Sequence, residues 1–141
     1  MPAAPVTAIR PASAPSGADG ILVVNDVTKH FRTPDGVVTA VDKVSLSVRQ
    51  GEFLAVIGPS GCGKSTLFNV VGGLLGDYEG EVSVGGERIT GPHASVGMVF
   101  QEESTFPWRT VIENVAFPLE VAGMARRERE EKAMRFVRLV G

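Results

Sequence analysis

Gly58, Gly63, Lys64 and Ser65 meet the spacing G-x-x-x-x-G-K-[ST] inside GPSGCGKST, residues 58–66. Each residue type has a physical task in gripping a nucleoside triphosphate. Gly58, Gly61 and Gly63 permit backbone angles that other residues avoid, so successive N–H groups can converge on phosphate oxygens. Pro59, Ser60 and Cys62 fill the rest of the loop. Lys64 brings a cation to the β- and γ-phosphates, the Ser65 hydroxyl can ligate Mg²⁺, and Thr66 is placed for the α-phosphate. A helix beginning near Lys64 adds the positive end of its dipole. A glycine-rich turn with a chance Lys-Ser would show the same letters, so the flanking elements have to decide.

Those elements have the required character. FLAVIG before the loop is continuously apolar, which predicts a strand buried on both faces of a parallel sheet. After it, Lys64 to Leu75 reads as a helix with Leu67, Val70, Val71 and Leu74 on one face, weakened at its end by Gly72 and Gly73. Upstream, the β-branched run Ile21–Phe31, the turn signals Pro34 and Asp35-Gly36, and the alternating VSLSVRQGE predict antiparallel strands. GEVSVGGERI reads as a short hairpin turning at Gly85-Gly86. SVGMVFQ predicts a second buried strand ending at Gln101. VIENVAFPLEVAG reads as a helix broken near Pro118, and RREREEKAMRFVRLV as an amphipathic one. In the latter, Glu128–Lys132 and Glu131–Arg135 are supporting pairs, and Met134, Val137 and Val140 form an apolar stripe.

Two side chains outside the loop bear on nucleotide chemistry. Phe31, at the end of the first strand, is placed either to pack in the core or to stack on an adenine ring. Gln101 either faces solvent or reaches the γ-phosphate, Mg²⁺ or an attacking water.

In order, Phe31, GPSGCGKSTL, VFQ and PWRTVIENV resemble the nucleotide-binding subunits of ABC transporters, over roughly residues 21–141. The resemblance makes 58–66 the Walker A motif, Phe31 the adenine-stacking aromatic and Gln101 the Q-loop glutamine. It implies ATP and Mg²⁺ as cofactors, with Lys64 and Gln101 in catalysis and Ser65 and Gln101 at the metal. The implied fold is α/β: a P-loop NTPase (RecA-like) core, an antiparallel β-subdomain and the start of a helical subdomain after Gln101. FPWRTVIENVAF is further similar to importers of the nitrate, sulfonate and taurine group, although EESTF is more polar than the stretch usual there. By that resemblance Phe106, Pro107 and Trp108 meet the membrane subunits, a place in the core being the other reading of Trp108. The subunit would work as a dimer, closing around ATP at the inner face of the cell membrane.

Hydrolysis in this family needs an LSGGQ-like signature, an Asp ending another apolar strand (Walker B), a Glu after it, and a downstream His. Residues 102–141 hold none of these. VAFPLE ends in Glu120 but carries Pro118 and lacks the preceding Asp, and His30 and His93 both precede Gln101. The sequence therefore reads as a partial nucleotide-binding domain that binds without turnover. It would be marginally stable, with apolar faces uncovered around 53–57 and 96–100. A kinase or GTPase is the alternative class, disfavoured by the absence of Asn-Lys-x-Asp and by the Arg-Glu alternation at 126–131.

The whole composition agrees. The chain has 141 residues, 43% hydrophobic and 21% charged, as expected of a soluble globular protein. A net charge of −2 gives no general reason to bind nucleic acid. One cysteine, Cys62, forms no internal disulfide and suits a reducing compartment. Residues 1–20, with Pro2, Pro5, Pro11 and Pro15, read as a disordered tail without the features of a signal peptide, which predicts a cytoplasmic protein.

Overall fold

The computed structural model describes residues 20–101 and 104–141. Of the expected tail over 1–20, residues 1–19 lie outside them. The chain divides into two compact units, residues 1–98 and 99–141.

In the first unit a long hairpin joins β1 (Leu22–Thr33) to β2 (Gly36–Val48), with the turn at Pro34-Asp35. A short hairpin joins β3 (Glu79–Val84) to β4 (Glu87–Arg88), and the antiparallel sheet has the order β2-β1-β3-β4. Gly85 and Gly86 turn it with φ of 59° and 84°, angles that suit the right-handed twist of a hairpin. Helix α1 (Lys64–Val71) packs Leu67 and Val70 onto the sheet, against Val24, Val27, Val41, Val44, Leu46 and Val82. Valine dominates because β-branched side chains suit a pleated, half-buried surface.

The register of β1 slips twice between Val24 and Lys29. Asp26 and Lys43 take left-handed backbone angles there, and Ser45 and Thr28 hydroxyls accept the displaced Asp26 and Lys43 N–H groups. These bulges re-aim the strand, so Val27, Thr28 and Lys29 are buried in succession where simple alternation would expose one.

Three expectations need correction in this unit. Residues 52–59 form no strand: among the described residues no strand lies beside them to bond with, and Phe53 is 91% exposed. Residues 96–98 likewise join no ladder. Helix α1 stops at Val71, not Leu75, because Gly72 and Gly73 close it with a Schellman motif. Gly73, at φ 70°, donates its N–H to Val70 O, and Leu74 N–H reaches Asn69 O. Leu74 is left half exposed as a result.

The second unit is a helix pair, α2 (Val111–Val121) and α3 (Arg126–Val140). Its leading residues Val99 and Phe100 are exposed and belong to no strand, so the expected strand ending at Gln101 is absent here too. The expected break at Pro118 does not occur, and α2 runs through it. A proline inside a helix costs about 3 kcal/mol, and α2 nonetheless forms with a complete capping box at Thr110 and with Ala116 buried. On α3 the packed face runs through Arg129, Ala133 and Val137. Met134 and Val140 lie outside it, which corrects the expected stripe. Lys132 pairs with Glu128 at 2.9 Å as expected, but Glu131 pairs with Arg127 rather than Arg135.

Candidate functional site

Residues 58–63 wind tightly in front of α1. A Cβ on Gly58 would stand 2.7 Å from Cys62 Sγ, so any side chain there would force the buried Cys62 to shift. Gly61 and Gly63 take φ of 78° and 99°, in the left-handed region that favours glycine. Lys64 folds back over the loop, donating to the carbonyls of Gly58 at 2.8 Å and Pro59 at 2.6 Å, with Cys62 Sγ at 3.6 Å. Its charge is thereby fixed at the loop's mouth. Pro59, Ser60 and Ser65 are exposed, and Thr66 is partly so.

The start of α1 completes the arrangement. Gly63 is its N-cap, no side chain among the described residues caps it, and its first turn carries no acid. A helix N-terminus so left has free N–H donors and an uncompensated positive dipole end, the physical prescription for an external anion.

Phe31 lies elsewhere in the same unit. It is 36% exposed, so it is not a core residue. It lines an open groove of about 800 Å³ with Lys29, Val37, Thr39, Tyr78 and others, none of them from 58–66. Gln101 belongs to the second unit and is exposed.

In that second unit, Phe106 packs edge-on against Phe117 at 4.7 Å and tilts against Trp108 at 5.6 Å. Pro107 is exposed and Trp108 is 78% exposed, which rules out a core place for the tryptophan. Sequence reasoning passed over what holds these residues. The Asn114 side chain accepts from Phe106 N–H at 2.7 Å and donates to the carbonyls of Phe106, Arg109 and Thr110. Arg109 lies across the rings of Phe106 and Phe117 and pairs with Glu120 at 3.0 Å, which also takes Arg129 at 3.2 Å. The Arg109 hydrogen bond, opposed in part by desolvation, holds the Glu120 carboxyl below its ordinary value. The Thr110-x-x-Glu113 spacing was a readable signal of the helix start.

The sequence matches the family described as ABC transporter over residues 41–141. It is 45% identical over 120 residues to an uncharacterized ABC transporter ATP-binding protein of Methanocaldococcus jannaschii, covering 85% of this chain and 45% of that one. It is 42% identical over 118 residues to the aliphatic sulfonates import ATP-binding protein of Bacillus thuringiensis subsp. konkukian, covering 84% and 47%. Among solved structures it is similar to a dimeric, post-hydrolysis ATP-binding cassette bound to ADP and Pi. That likeness has a TM-score of 0.72 at 31% identity and covers 81% of this chain and 54% of that one. The chain thus spans about half the length of the relatives it matches.

Proposed function

This chain belongs to the ABC transporter family, and we propose that it forms the nucleotide-gripping part of an importer's ATP-binding subunit. That subunit couples ATP binding and hydrolysis to uptake of a nitrate-, sulfonate- or taurine-like anion. The observation that carries the reading is the glycine-shaped loop 58–63, with Lys64 pinned over its mouth and an uncapped helix behind it. Backbone N–H groups, the helix dipole and the Lys64 ammonium neutralise a triphosphate together, in a place preorganised before the ligand arrives. Magnesium, held by the Ser65 hydroxyl and phosphate oxygens, would add divalent charge beside the transferred phosphoryl group.

Positioning the attacking water is a different task. The one candidate acid after Gln101 that ends an apolar run, Glu120, is held by Arg109 and Arg129. We therefore assign residues 1–141 binding without turnover, and hydrolysis to the longer subunit its relatives represent. Gln101 would link nucleotide state to the membrane subunits, and a second ATPase subunit would complete the dimer. Phe106, anchored on Phe117 and Asn114, presents Pro107 and Trp108 as the docking surface. Among the described residues no helix is long and apolar enough to cross a membrane. The proposed location is the cytoplasmic face, reached through the transporter, and rests on the family and the import relative. The anion class is supported by Pro107-Trp108-Arg109-Thr110 and by the sulfonate-import relative.

The test is equilibrium binding and turnover of Mg-ATP. Residues 1–141 should bind ATP without hydrolysing it, and Lys64→Ala should weaken binding about 100-fold or more. Hydrolysis by 1–141 that depends on Lys64 would overturn the division of labour, and Lys64-independent binding would overturn the grip itself.

A further inference from the structure

Lys29 is a buried lysine that the phosphate grip does not use. Lysine is almost never buried without partners, and here the partners are specific. Its ammonium donates to the carbonyls of Gly76 at 2.9 Å and Asp77 at 2.6 Å, with the Asp77 carboxylate at 3.8 Å. Asp77 itself holds a left-handed backbone angle, φ 52°. The remaining side of the ammonium lies over the Phe31 ring, 5.4 Å from its centroid. Lys29 and Phe31 are two apart in β1, and the register shifts on both sides of Lys29 turn its side chain inward while Phe31 stays exposed beside it.

We propose that Lys29 is a positioning residue for base recognition: its fixed charge orients the Phe31 ring and polarises it from one face. This rests on the reading of Phe31 as the adenine platform. A cation draws a ring's π-density toward itself. The ring's remaining surface, 36% of the residue being exposed, then presents a less negative face. Electron-rich purines stack on such a face better than on an unpolarised phenyl ring. The fastening to Gly76 and Asp77 also ties the ring's position to the segment following α1, so base and phosphate recognition share one rigid frame.

The experiment compares Mg-ATP with magnesium tripolyphosphate, which has no base, on the complete subunit. The variants are Phe31→Ala, Lys29→Gln, Lys29→Arg and the double variant Phe31→Ala/Lys29→Gln. Glutamine keeps donors for the two carbonyls and removes the charge. Lys29→Gln should weaken ATP about fivefold and leave tripolyphosphate unchanged. Lys29→Arg should restore ATP binding, and Lys29→Gln should add nothing once Phe31 is alanine. Equal loss of both ligands, or undiminished loss in the Phe31→Ala background, would make Lys29 a packing residue and overturn the proposal. A Phe31→Ala effect on ATP with none from Lys29→Gln removes the role of Lys29 alone. No effect of Phe31→Ala on ATP removes the platform reading, and this proposal with it.

Discussion

Helices α1 and α2 begin in opposite ways. At α2, Thr110 accepts the Glu113 N–H while the Glu113 carboxylate accepts the Thr110 N–H at 2.9 Å, a complete capping box. The helix carries its own anion in its first turn. At α1 the cap is a left-handed Gly63, with no capping side chain among the described residues, no acid, and a lysine instead. Both helices face the same electrostatic requirement, because the first N–H groups of any helix have no partner within it. One solves it internally, for about 1 kcal/mol of stability. The other leaves it open, and the proposed phosphate would supply there the anion that Glu113 supplies to α2.

The largest expected departure is at the open end. Lys64→Ala should remove about two orders of magnitude or more of ATP affinity while leaving the α2–α3 pair intact, read by nucleotide titration alongside Trp108 fluorescence. Next, Gly58→Ala forces a Cβ onto Cys62 Sγ. A clash of that kind costs roughly 1–3 kcal/mol, so ATP binding should fall about tenfold. Adding Cys62→Ala should recover part of it, and a double variant no better than the single would mean the loop is not shaped by that contact.

At the closed end, Thr110→Ala should cost about 1 kcal/mol in urea unfolding followed at Trp108, with ATP affinity unchanged. A change in affinity there would dissolve the contrast between the two helix starts. The smallest effect is with pH. The Thr110 backbone and hydroxyl hold Glu113 below its ordinary 4.5, and Arg109 does the same for Glu120. Carboxyls depressed by folding stabilise above the unfolded value and lose that contribution as pH falls through the folded one. Unfolding midpoints of the helix pair should therefore be level above about pH 5 and fall below 4.5. The decline should be shallower in Glu113→Gln.

Legibility in the sequence followed how local each cause is. The β1–β2 hairpin, the Gly85-Gly86 turn and the loop 58–63 depend on neighbours in the chain, and all three were readable. FLAVIG was read correctly as apolar but wrongly as an existing strand, since a parallel strand forms only when another strand lies beside it. Pro118 was over-read because a local breaker was weighed without the tertiary packing of Ala116. The α3 stripe was right at Val137 and wrong at Met134 and Val140, since the face that packs runs back through Ala133 and Arg129. Lys29 gave no signal at all: its burial comes from two bulges and a loop 47 residues away.

The unpaired segment 52–59 has a consequence for synthesis. Ribosomes deliver the amino-terminal half first, at about 5–20 residues per second. In a subunit twice this length, as the relatives are, Phe53 and Ile57 would stand uncovered for on the order of ten seconds while later strands emerge. In such a subunit that interval would leave two large apolar side chains open to chaperones before any strand could cover them.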